Sequence, residues 1–205
     1  MRKLLVLAAA IYSINTLAQF ETTQASESFG INQVVTLEQN TKFDLIGSTL
    51  KVGDLMPSAQ LITSNLKKYD TSNKSQSIKI YNILTSVDTP VCVQQGIELS
   101  QYIKNNTDDL YNIEFYAISA DTPFAQQRFI KEHSIEGVTY LSDSIDHQFG
   151  LNTGTQIKQL GLLSRSIIVT DTNNKVIYAQ RVPELTTIPS LGEAVKVALA
   201  NGFVA

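Results

Sequence analysis

Apolar and polar residues alternate over positions 34–37, over 43–45 and again near 60–63, which predicts three short strands in the first third of the chain. Val52-Gly53-Asp54 and Met56-Pro57 read as turns between them, and the charged stretch 67–77 reads as a loop. From residue 78 the pattern changes. An apolar run over 78–84, an amphipathic helix from about Pro90 to Asn106 and a second apolar run over 113–119 form a βαβ unit, so parallel strands joined by a right-handed crossover are expected. A second helix is expected from Pro123 to about Glu132, with Asp121 or Thr122 as its cap and Pro123 in its first turn, followed by a short strand over 138–141.

Ile167-Ile168-Val169 reads as a strand buried on both faces. Residues 171–174 are turn material leading into an apolar run over 176–182, which predicts an antiparallel hairpin. The last helix carries a capping-box signature in Ser190 and Glu193, a stripe of Leu191, Val195 and Ala198, and Gly202 just past its end. A βαβ half followed by a ββα half is the order of an α/β, thioredoxin-like fold, here with extra N-terminal strands.

Composition adds limits. The chain has 205 residues, 43% hydrophobic and 17% charged, with a formal net charge of -3, which suits one globular domain with a continuous core. Its 16 Lys and Arg are scattered, so neither a nucleic-acid groove nor a polybasic membrane patch is expected, and the partner is a small molecule or a protein. Arg2 and Lys3 precede an apolar run over 4–11 that ends near Thr16-Leu17-Ala18, the pattern of a secretory signal peptide over residues 1–18; a second possible cut follows Ala25. Ser13, Asn15 and Thr16 interrupt the run too early for a membrane anchor, which needs roughly 20 apolar residues. No cysteine lies near the cut to take a lipid. A secreted protein, of the bacterial periplasm, is therefore expected. Residues 19–33 read from their polar composition as a flexible lead-in, and residues 34–205 as the domain.

Export gives weight to the cysteine count, because oxidising compartments favour paired cysteines and this chain has only Cys92. It cannot form an internal disulfide. With Asp88 or Thr89 as N-cap and Pro90 at the first helical position, Cys92 falls in the first turn, where unpaired N–H groups and the positive end of the helix dipole favour a thiolate. Cys92, Gly96, Leu99 and Ile103 recur at helical spacing, placing the sulfur at the end of the inward stripe and partly sheltered. The residues alone leave two readings open, a reactive thiol and a small buried hydrophobe.

Three ordered motifs resemble the peroxiredoxins, and within them the bacterial thiol peroxidases. Ser86-Val87-Asp88-Thr89-Pro90-Val91-Cys92 is similar to the family's peroxidatic-cysteine loop. The run Ile118-Ser119-Ala120-Asp121-Thr122-Pro123-Phe124-Ala125-Gln126, with Arg128 and Phe129, is similar to its second segment, and Leu163-Ser164-Arg165-Ser166 with the following strand resembles the one carrying its arginine. The resemblance implies that Cys92 attacks a peroxide and becomes a sulfenic acid, that Thr89 hydrogen-bonds the sulfur and the bound peroxide, and that Arg165 supplies fixed positive charge. It implies hydrogen peroxide or a small alkyl hydroperoxide as substrate and a homodimer through the active-site face, while the sequence carries no signature for haem, flavin or metal.

Two positions depart from the family. Thr85 stands where a proline seven residues before the cysteine shields the sulfur, which predicts a wetter pocket. Ile130 stands where a resolving cysteine usually follows Arg128-Phe129. A one-cysteine cycle is then implied, with an external thiol or thiol protein as reductant. The rival readings are a catalytically weak redox sensor or partner-binding protein, a cysteine hydrolase using His133 or His147, and a thiol-disulfide exchanger, the last disfavoured because Thr89 replaces the first cysteine of a Cys-x-x-Cys.

Overall fold

The computed structural model describes residues 19–202; the expected signal peptide lies outside them. In chain order the strands are β1 (Thr22–Thr23), β2 (Val34–Leu37), β3 (Thr41–Ile46), β4 (Gln60–Thr63), β5 (Lys68–Asp70) and β6 (Ile78–Ile83), followed by helix α1 (Pro90–Asn105), β7 (Ile113–Ser119), α2 (Pro123–His133) and β8 (Thr139–Ser142). Then come α3 (Gln148–Thr153), β9 (Gln156–Ile157), β10 (Ser166–Thr170), β11 (Val176–Arg181), β12 (Ile188–Pro189) and α4 (Leu191–Gly202).

Seven strands form the central sheet in the order β11-β10-β6-β7-β8-β4-β5. β6, β7 and β8 are parallel, as the βαβ pattern predicts, while β10 runs antiparallel to both β6 and β11. Every residue of β6 and β10 is buried, because helices and loops cover both faces. On one face Ile80, Phe115 and Ile167 meet Leu99 of α1 and Val195 and Ala198 of α4. On the other, Tyr81, Ile83, Ile118 and Ile168 pack against Phe29, Met56 and Phe149. The fold is thus thioredoxin-like, with β2, β3 and β9 forming a separate three-stranded sheet.

Four local features differ from, or were absent from, the expectations. The stretch 67–77 contains β5, an edge strand turned back on β4 through Leu66 at φ 63°. α3 has no strong periodic signature; its first-turn N–H groups are held by the buried carboxylate of Asp143, which accepts from Phe149 N at 2.9 Å and Gly150 N at 2.8 Å. α4 has half a capping box: Ser190 Oγ accepts from Glu193 N at 3.4 Å, but Ser190 N donates to Gln180 Oε1 at 2.9 Å.

The fourth is the lead-in, which lies along the domain rather than loose from it. β1 pairs in parallel with β12, and the Phe20 backbone exchanges two hydrogen bonds with the Gln94 side chain. Gln180 Nε2 donates to the carbonyls of Thr23 and Ala25, Arg181 Nε donates to Ser28 O at 2.7 Å, and Phe29 is buried. Polar composition predicts a free chain only when nothing else satisfies its backbone; here two β11 side chains do.

Candidate active site around Cys92

The turn between β6 and α1 carries the sulfur. Thr89 is the N-cap residue, extended at φ -106° and ψ 142°, and Pro90 opens the helix, so Cys92 occupies its third position. The first turn holds no acidic side chain to compete for the positive helix end. Two donors reach the sulfur: Arg165 Nη1 at 3.1 Å and Ser86 N at 3.4 Å.

Arg165 leaves the loop before β10 and is 1% exposed. Its Nε and Nη2 donate to Leu185 O at 3.3 and 3.2 Å, and its Nη1 also donates to Gln95 Oε1 at 2.5 Å. Gln95, about one turn along α1 from Cys92, is itself held through Nε2 by Asn82 Oδ1 of β6. Among the described residues no carboxylate pairs with this buried guanidinium. Burying an uncompensated cation is costly, and the group best placed to compensate it is a thiolate on Cys92.

Asp121 organises the turn from outside. Its carboxylate accepts from Ser86 Oγ and from Val87 N, both at 2.8 Å. The sequence offered Asp121 or Thr122 as the cap of α2; Thr122 fills that place, accepting from Ala125 N at 3.3 Å, which frees Asp121 for the cysteine loop. An exposed ion pair of Arg128 with Asp88, 2.7 Å, ties α2 to the same loop.

Cys92 and Arg165 are therefore brought together. Thr89 is adjacent, but its hydroxyl donates to Ser86 O at 3.1 Å and not to the sulfur. The sulfur is fully buried rather than partly sheltered, because Leu84, Val87, Phe129, Ile135 and Tyr140 close round it. Thr85 is buried too, and its Oγ1 has no hydrogen-bond partner among the described residues. Ile130 packs at the border of the same apolar cluster. His133 lies against Phe129 with ring centres 4.7 Å apart, and His147 precedes α3 at φ 51°; neither ring hydrogen-bonds the sulfur. Gln95, Asn82 and Asp121 were not singled out as site residues. Their signal lies in three dimensions, except for Gln95, whose spacing from Cys92 puts it on a neighbouring helix face.

Among the described residues no group of three or more His, Cys, Asp or Glu is placed to hold a metal ion, and no helix is long and apolar enough to cross a membrane.

Comparison with known proteins agrees with this geometry. A thiol peroxidase of Clostridium acetobutylicum is 38% identical over 156 residues, covering 76% of this chain and 92% of that protein. One of Bacillus subtilis is 36% identical over 156 residues, covering 76% and 91%. The crystal structure of a peroxiredoxin-like protein from Aquifex aeolicus superposes with a TM-score of 0.73 at 29% identity, covering 82% of this chain and 97% of that one. Since residues 51–195 also match the Redoxin family, the chain belongs to that family.

Proposed function

We propose that this protein is a thiol-dependent peroxidase that reduces hydrogen peroxide or small alkyl hydroperoxides through Cys92 alone. The observation that carries the reading is the 3.1 Å approach of a buried, carboxylate-free Arg165 guanidinium to the sulfur. In the first half-reaction the Cys92 thiolate attacks the terminal oxygen of ROOH. An S–O bond forms as the O–O bond breaks, sulfur is oxidised to sulfenic acid, and RO⁻ leaves and takes up a proton as ROH. Arg165 holds the thiolate and the charge developing on the leaving oxygen, while the Thr89 hydroxyl oxygen stands beside the exposed Asp88 and Pro90, from which the peroxide approaches. The peroxide reaches the buried sulfur only if the turn 86–89 moves.

With Ile130 in place of a second thiol, the sulfenic acid is reduced from outside: one thiol displaces water to form a mixed disulfide, and a second releases Cys92 as a thiol and leaves with the first as a disulfide. Turnover is expected to be weak with thioredoxin as sole reductant, and robust thioredoxin-driven peroxide consumption would refute that expectation. The full burial of Cys92 favours the rival sensor reading, which would hold if stopped-flow oxidation of Cys92 were no faster than that of a free thiol.

Export to the periplasm, with cleavage after Ala18, is part of the proposal and rests on the signal pattern. Intact mass of the exported protein checks both parts: the chain should begin at Gln19 and gain one oxygen from one equivalent of peroxide, a gain absent in Cys92→Ser. A homodimer through the active-site face is also proposed. Phe20, Pro90, Val93 and Ile97 line a groove along the outer side of α1, and Phe124 on α2 is 66% exposed. Sedimentation at micromolar concentration should give a dimer, weakened in Val93→Glu; a monomer for the wild type would refute it.

A further inference from the structure

α1 has a glycine in its interior, one turn after Cys92 on the same face. Glycine there costs about 1 kcal/mol relative to alanine, so space is the reason to look for. A Cβ on Gly96 would come within 2.9 Å of the Tyr140 hydroxyl and 2.9 Å of Phe129 Cζ. Because helical Cα–Cβ bonds tilt towards the N-terminus, that space lies over the turn that carries Cys92. The missing side chain thus admits a phenol hydroxyl to the cysteine's own apolar cluster.

That hydroxyl is out of keeping with its surroundings. Tyr140 is 1% exposed, and its Oη has no hydrogen-bond partner among the described residues. A buried hydroxyl of this kind is normally paired, and phenylalanine would fill the same volume without the desolvation penalty. Burial, and secondarily the neighbouring Cys92, push its pKa up well above the ordinary tyrosine value. It therefore stays protonated and keeps a proton to donate.

Building on the peroxidase reading, we propose that Tyr140 is the hydrogen-bond donor for the oxygen that Cys92 acquires, holding the sulfenic acid until an external thiol arrives. In the reduced protein the sulfur is served by Arg165 and Ser86. Oxidation extends the side chain by one oxygen, an acceptor that the thiol lacked, within the cluster where the phenol stands. In a chain without a second cysteine, this contact takes over part of the stabilisation that a disulfide would supply. Thr85 Oγ1 and Ser164 Oγ are also buried without a partner among the described residues, but neither side chain belongs to the apolar cluster around the sulfur.

The test compares reduced protein with protein carrying one oxygen per chain by intact mass, for wild type and Y140F. Reduced Y140F is expected to melt at or above reduced wild type, since it loses an unpaired hydroxyl. Oxidation should raise the wild-type Tm by about 3 °C more than that of Y140F, the scale of one hydrogen bond in a domain of this size. A merely structural tyrosine would give the same shift in both proteins, and that result would overturn the proposal while leaving the peroxidase reading intact. Failure of wild type to gain the oxygen would instead overturn both. Should Y140F not fold, the wild-type near-UV difference spectrum decides: oxidation should move tyrosine absorption to the red, and an unchanged spectrum would reject the contact.

Discussion

Arg165→Met is expected to slow the oxidation of Cys92 by hydrogen peroxide by roughly 10²–10³-fold, the usual cost of removing one donor aimed at developing charge in a water-excluded site. The guanidinium makes the shorter of the two hydrogen bonds to Sγ, and it is the buried positive charge beside it. The variant should nevertheless fold. Replacing a buried ion by an apolar side chain of similar length is often neutral or stabilising, and what it strands here are acceptors on Gln95 and Leu185. Arg165→Lys keeps the charge but has no planar fork to reach Leu185 O, Gln95 Oε1 and Sγ together, so an intermediate rate is expected. Single-turnover stopped flow measures the rate and calorimetry the stability. A methionine variant within about threefold of wild type would show that the helix terminus and the Ser86 N–H suffice without the arginine.

Legibility from sequence followed the range of the interactions. The βαβ unit is plain because β6 and β7 are mostly apolar, as strands covered on both faces are, and Lys79, Asn82 and Glu114 interrupt the pattern without hiding it. The hairpin was equally plain, since Asp171 accepts from Asn173 N and Lys175 N within its own turn. Cys92 at the start of α1 followed from Pro90, a local signal as well. What was missed depends on partners far along the chain. The lead-in is seated by Gln180 and Arg181, more than 150 residues away, and composition cannot register that. Arg165 was found only through a resemblance, since 73 residues separate it from Cys92 and an isolated arginine has no periodicity. Tyr140 falls inside the short strand expected over 138–141, and only the space left at Gly96 distinguishes its hydroxyl.

The same reasoning applies to Asp121, whose two carboxylate oxygens fasten the cysteine loop to the end of β7. Asp121→Ala should lower stability by about 2 kcal/mol, because the Val87 N–H is left unpaired beside a buried side chain. The larger effect is expected in the chemistry. Ser86, which loses its anchor, presents its N–H to the sulfur and its carbonyl to Thr89, so one displaced residue misaligns both. Misplacements of this size cost up to roughly 10²-fold in rate, and a fall of 10- to 100-fold in the peroxide rate constant is expected. Asp121→Asn retains one acceptor and one donor and should recover much of the stability but less of the rate, since it cannot accept from Ser86 Oγ and Val87 N with both terminal atoms. Ser86→Ala removes only the first of those bonds and should fall between wild type and Asp121→Ala. These rates are to be compared at a temperature where calorimetry shows every variant folded. If Asp121→Ala melts earlier yet oxidises within twofold of wild type, the carboxylate serves the fold alone, and the loop finds its geometry from the helix cap and Pro90 without help.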